Sequence, residues 1–191
     1  MIPGASEILR ALYGCWCLAL NRPGAIELFD RSEAGFWRSF FAAVLALPGI
    51  LVSEVAHGRA EWLGGDFFDW ISFGLRYAVY WLAFPCVAVL IAEKIGALDK
   101  ILDYLVPYNW LSLPFVYITC LFYLLGSGGG AVAGIFETLS IVPWILIVLL
   151  RWRWARDLLG VSGLMAAGFV LADEVVSLFA YLLLESLAAM G

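Results

Sequence analysis

Residues 160–187 form a long apolar run with Asp173 and Glu174 side by side near its middle. As helix, they make a rod of ~42 Å at ~1.5 Å per residue, enough to cross a ~30 Å hydrocarbon core with tilt. Two adjacent carboxyls at that depth cost roughly a few kcal/mol each if lipid surrounds them. The rest of the chain must therefore supply polar partners, and that requirement shapes everything else in the sequence.

The other apolar runs supply the candidates. They lie at about 35–52, 67–92, 108–125 and 131–150, and with 160–187 they predict an all-α integral membrane protein of five spans. At 64% hydrophobic and 14% charged residues, the 191-residue chain is far from the roughly 25% charge of soluble proteins. No repeat or polar linker divides it. Residues 1–34 read as an amphipathic interfacial segment and 35–191 as one five-helix domain. Pro48, Pro85, Pro114 and Pro143 put one helix-bending residue in each of the first four spans.

Two stretches outside the spans read as surface helices. In residues 5–20, Ile8, Leu12, Trp16 and Leu20 recur every four residues. In 93–106, Ile95, Leu98, Ile101, Leu102 and Leu105 make an apolar stripe that Pro107 ends. Gly126 to Gly130 reads as a tight hairpin between the third and fourth spans.

Basic residues set the expected topology. Arg10, Arg22, Arg31, Arg38, Lys94, Lys100, Arg151, Arg153 and Arg156 fall on one side, Arg59 alone falls on the other, and Arg76 lies within a span. The positive-inside rule then places the amino terminus in the cytoplasm and the carboxyl terminus outside. Arg151, Trp152, Arg153, Trp154 and Arg156 read as a basic, aromatic stop in contact with lipid headgroups.

Within the spans, Arg76, Glu137, Asp173 and Glu174 form a predicted intramembrane polar cluster. Counting at ~1.5 Å per residue puts Arg76 at ~13 Å, Glu137 at ~9 Å and Asp173 at ~10 Å from the outer boundary. Arg76 is the expected partner of Asp173 or Glu174. Neighbouring residues on a helix point ~100° apart, so the two acids serve different partners. Such a cluster either fixes helix register or lines an ion, proton or polar-solute path.

Enzyme chemistry finds no footing. The one histidine, His57, lies in a connection, and no H-E-x-x-H, G-x-S-x-G or P-loop occurs. Cys15, Cys17, Cys86 and Cys120 show no metal or disulfide framework, so neither a metal nor a cofactor is expected. A net charge of −5 leaves no basic nucleic-acid footprint.

Gly35-Phe36-Trp37-Arg38-Ser39-Phe40, Trp81-x-x-Phe84-Pro85 and Tyr108-Asn109-Trp110 accompany this architecture. With them the chain resembles the Yip-type small membrane proteins and a group of uncharacterised bacterial five-span proteins. The resemblance implies a five-helix bundle, a bacterial inner membrane and a role in membrane organisation or protein association. It implies no active site. Two functions remain: a non-enzymatic accessory or scaffold protein acting through helix-mediated association, with lipids and a protein partner or second copy; or a small ion- or proton-coupled transporter or channel component with a polar path through the outer half of the bundle.

Overall fold

The computed structural model describes residues 2–56, 58 and 61–188, with backbone alone at 61, 62, 137, 181 and 183–188. Among the described residues the chain is helical, with no strand. Five stretches are long and apolar enough to cross a membrane: Glu33–Ala56, Phe67–Lys94, Leu98–Gly126, Gly130–Leu159 and Gly163–Ala180. The chain is thus an integral membrane protein by the length and apolar character of its helices.

The elements are α1 (Ala5–Ala19), α2 (Glu33–Ser39), α3 (Phe41–Ala56), α4 (Phe67–Lys94), α5 (Ile101–Gly126), α6 (Gly130–Leu139), α7 (Ile141–Leu159) and α8 (Gly163–Ala188). Two spans are therefore broken, the first between α2 and α3 and the fourth between α6 and α7. At the first break the Ser39 hydroxyl bonds the Phe36 carbonyl at 2.6 Å and accepts from Asn109 Nδ2 at 2.8 Å. A buried serine and the amide nitrogen of a buried asparagine thereby pair across two helices, while Asn109 Oδ1 stays without a partner among the described residues.

The centre of the bundle is α5, with α1, α2, α3, α6 and α7 packed around it. Residues 104–111 are buried without interruption, so this part of the helix is enclosed on all sides. α3 meets it through a stripe of small residues, Ala42, Ala46, Gly49 and Ser53, which lets the two backbones approach closely. α4 packs mainly on α8, and α8 packs on α7. α4 opens with a capping box in which Asp66 and Asp69 satisfy each other's backbone N–H groups.

Two boundaries differ from expectation. The surface helix at 93–106 does not form as a separate element, because α5 runs continuously through Pro107 and Pro114. Ile101, Leu105, Tyr108 and Ser112 keep one helical phase across Pro107. Burial of Tyr104, Leu105 and Val106 outweighs the single backbone hydrogen bond the proline removes. Likewise α7 continues beyond residue 150 to Leu159, where Gly160 (φ 68°) supplies the left-handed turn into α8.

α1 lies against the first turns of α5, and the Cys15 thiol points at the Pro107 carbonyl at 3.9 Å. Its packing face is made of Ala11, Gly14, Cys15 and Cys17. Of the expected four-residue stripe, Ile8 and Leu12 pack against the core, while Trp16 and Leu20 face outward with Leu9 and Tyr13. The small side chains are the most deeply buried, with Ile8, Leu12 and Leu18 packed beside them. Arg38 ties this layer together by pairing with Glu7 at 2.8 Å and with Asp30, while Arg31 pairs with Asp103 at 2.9 Å.

Candidate functional site

The buried face of α7 consists of Pro143, Ile147, Arg151, Trp154, Ala155 and Leu159. Steps of three or four residues make this one stripe, and Arg151 occupies the middle of it. The guanidinium enters the bundle rather than the headgroup layer. There Nη1 donates to Asp173 Oδ2 at 2.9 Å, and Nη2 donates to Ser112 Oγ at 3.3 Å. Tyr108 donates its hydroxyl to the other carboxylate oxygen, Oδ1, at 2.9 Å. Its ring lies 4.3 Å below the guanidinium carbon.

Three helices therefore meet at one ion pair. α5 brings Tyr108 and Ser112 one turn apart, α7 brings Arg151, and α8 brings Asp173. Asp173 is 1% exposed, and each of its oxygens accepts one hydrogen bond. The desolvation cost of burying two charges is offset here by close contact, hydrogen bonds and a cation–π contact.

This arrangement corrects the expected pairing. Asp173 meets Arg151, not Arg76. Arg76 is half-buried on α4, one turn from Tyr80, and no carboxylate among the described residues lies within ion-pair distance of it. Glu174 points elsewhere on α8, as the ~100° step requires, and Oε2 accepts from Trp144 Nε1 at 3.2 Å. The side chain of Glu137 and the connection residues His57 and Arg59 lie outside the described residues.

The stop sequence is divided as well. Arg151 and Trp154 are interior, contrary to a headgroup role. Arg153 Nη2 donates to the Leu18 and Ala19 carbonyls at 2.7 and 2.6 Å, so its charge sits at the carboxyl end of α1, where the helix dipole favours a cation. Trp152 donates to the Gly163 carbonyl at 2.9 Å across the turn. Arg156 bonds Asp157 at 2.7 Å and lies over the Trp152 ring.

On the α1 side of the ion pair, Phe84, Tyr104, Tyr108 and Phe169 pack edge to face or tilted, with centroids 5.1 to 6.5 Å apart. Phe84, Tyr104 and Phe169 are at most 1% exposed, so this layer is a solid plug. On the other side lies a cavity of about 490 Å³ whose wall takes residues from every span. Ser53 and Glu54 come from α3, Tyr80 and Trp81 from α4, and Ser112 through Tyr123 from α5. Ser140, Trp144 and Arg151 come from the fourth span, and Glu174 and Ser177 from α8. Along α5 the wall extends from Ser112 to Tyr123, ~16 Å at the helical rise. Arg151 and Ser112 stand at its deep end.

Among the described residues no three His, Cys, Asp or Glu side chains group as a metal site would need. Asp173, with both oxygens engaged, serves as a fixed element behind the cavity wall. Among the described residues, Glu54 and Glu174 are the carboxyls that reach the cavity. The chain matches no protein-family model, no curated protein and no solved structure. The functional reading rests on this geometry.

Proposed function

We propose that this chain is a small, non-enzymatic membrane protein that admits a polar solute into its bundle, as an ion- or proton-coupled transporter or channel component. The observation that carries the reading is the cavity of about 490 Å³ walled by all five spans and ending at Arg151. Helices that only needed to associate with one another would gain by closing such a void with apolar side chains. Oriented by the positive-inside rule, the cavity occupies the outer half of the bundle and the aromatic plug closes it towards the cytoplasm. The Arg151–Asp173 pair forms its floor and fixes α5, α7 and α8.

The test is flux into proteoliposomes driven by a pH or cation gradient. Thr119→Trp fills the middle of the cavity without touching the ion pair, and it should abolish flux in a protein that still elutes and unfolds as wild type. Absence of flux from folded wild-type protein would defeat the transport reading. Flux unchanged by Thr119→Trp would move the path out of this cavity.

A second reading, helix-mediated association as an accessory or scaffold protein, draws on the outward face of α1. Leu9 and Trp16 are 68% and 59% exposed there, beside Tyr13 and Leu20. Membrane lipid, a protein partner or a second copy would cover that face. Residence in a bacterial inner membrane and kinship with Yip-type proteins accompany this reading as proposals.

A further inference from the structure

We infer that α1 lies in the plane of the membrane at the headgroup boundary, and that phospholipid occupies its outward ridge of Leu9, Tyr13, Trp16 and Leu20. The inference rests on reading that ridge as a covered face, and it selects lipid over a protein partner or a second copy. It is independent of what the cavity admits.

Three contacts fix the height of α1. At its amino end Glu7 pairs with Arg38 at 2.8 Å, and the neighbouring Ser39 holds Asn109 at 2.8 Å. At its middle the Cys15 thiol points at the Pro107 carbonyl. At its carboxyl end Arg153 donates to the Leu18 and Ala19 carbonyls. Counted from the start of α5 at Ile101, Asn109 and Pro107 stand ~12 and ~9 Å along the helix. Counted from the end of α7 at Leu159, Arg153 stands ~9 Å along it. The 15 residues of α1 make a rod of ~22 Å that is held at one height along its length. It therefore runs across the bundle and not along it.

That height is a membrane boundary. The 26 residues of α5 make a rod of ~39 Å, and a hydrocarbon core takes ~30 Å of it. No charged residue stands between Pro107 and Gly126, and Tyr117, Ile118, Leu121, Leu124 and Leu125 are exposed along that half. That half fills the core, and the surplus of ~9 Å falls at the other end, before Pro107. Lys100 just before α5 and Lys94 at the end of α4 flank the surplus, as cations do beyond a boundary.

Ala11 and Cys15 set α1 on the side of α5. At ~100° per residue, Leu9, Tyr13, Trp16 and Leu20 fall within ~60° of one another on the opposite side of α1. They point sideways out of the bundle, so at this height they meet headgroups and acyl chains. Tryptophan and tyrosine are enriched at that level. Arg22 donates to the Tyr13 hydroxyl at 3.4 Å, which sets an exposed guanidinium at the edge of the ridge. A stable protein interface uses ~20–30 residues a side, and the ridge offers four large side chains.

The experiment uses the full chain in nanodiscs of phosphatidylcholine brominated near the headgroup end or near the tail end of its acyl chains. The fluorescence that Trp16→Phe removes belongs to Trp16, and the replaced side chain is exposed, so the fold is kept. Bromines near the headgroup end should quench that signal at least about twofold more than those near the tail end, because an interfacial helix sits ~5–10 Å into the boundary. Stronger quenching from the tail end would overturn the height. Quenching by aqueous iodide and by neither bromolipid would put the ridge in water and refute both the inference and the covered face. In cell membranes, p-benzoylphenylalanine at position 16 should photocrosslink to phospholipid, read as the adduct mass of the intact protein. A crosslinked dimer or a crosslink to another protein would refute lipid and favour the association reading. None of these results alters the flux assay, so this inference and the transport reading fail separately.

Discussion

Arg151→Met removes the cation from a pair whose carboxylate is 1% exposed. Asp173 keeps only the Tyr108 hydroxyl at 2.9 Å. Breaking one side of a buried pair costs roughly 3–5 kcal/mol. The protein has one escape, neutralising the acid. For a carboxyl of ordinary acidity this costs about 4 kcal/mol at pH 7, so it caps the loss near the same value. Asp173→Leu alone strands the guanidinium and should cost a similar amount. The double variant removes both charges and leaves only the Tyr108 hydroxyl without its acceptor, about 1–2 kcal/mol. Two single losses of roughly 4 and a double loss of roughly 2 give a coupling of about 6 kcal/mol. The Tyr108 hydroxyl donates to a carboxylate, a bond worth about 1.5–3 kcal/mol, so Tyr108→Phe should cost less than removing either charge. Reversible SDS titration in mixed micelles, followed by far-UV circular dichroism, measures all four variants. The Arg151→Met penalty should also shrink by about 1.4 kcal/mol per unit as pH falls below 7, because protonating the stranded acid becomes easier. Single losses below about 1 kcal/mol that simply add would refute the buried pair as a lock on α5, α7 and α8.

The layer at the α1 end makes three shorter predictions. Asp30 is held below the usual carboxylate range, first by hydrogen bonds from Ser32 and then by the Arg38 guanidinium. Its contribution is complete above its unfolded pKa of ~3.9 and is lost as pH falls through the lower folded value. Hydrogen exchange of α1 amides should rise in that acid window, and Asp30→Asn should remove this pH dependence. Burial pushes the Cys15 thiol up, so a maleimide at pH 8 should modify it only after unfolding, as mass spectrometry of the peptide would show. A Cβ at position 35 would stand 2.0 Å from the Asp30 carbonyl oxygen. Gly35→Ala must therefore displace backbone, and the same SDS titration should register a loss of about 2 kcal/mol or more.

Five spans were legible because twenty apolar residues in a row have few alternatives to crossing a bilayer. Their boundaries were less legible where a local breaker competed with tertiary packing. Pro107 looks terminal on propensity alone, yet Ile101, Leu105, Tyr108 and Ser112 stay in phase through it, and the enclosed α5 follows that phase. Ser39 and Ser140 carry no comparable signal, and the breaks beside them depend on the helices packed around them. α1 shows the converse difficulty. Its four-residue apolar spacing was visible, but not that Ile8 and Leu12 would pack inward while Trp16 and Leu20 stay exposed. The small residues Ala11, Gly14 and Cys15 decided that by fitting closely against α5 and Phe29.

The ion pair turns on a single choice about one arginine. Asp173 required a cation, and depth counting selected Arg76 because Arg151 stands among Trp152, Arg153, Trp154 and Arg156. A basic, aromatic cluster reads as a membrane boundary by composition. Composition, however, ignores direction. Ile147, Arg151, Ala155 and Leu159 recur every four residues, so Arg151 continues the apolar stripe of α7 while Arg153 and Arg156 leave it. A cation on a buried stripe needs a buried partner. Across the Gly160 turn, Asp173 is ten residues into α8 and Arg151 is eight residues from the end of α7, or ~15 and ~12 Å from the turn. Those heights agree within the reach of an arginine. Ranking charged residues by helical phase before composition would have paired them. It would also have left Glu174 turned away from that pair, towards the Trp144 indole that donates to it at 3.2 Å.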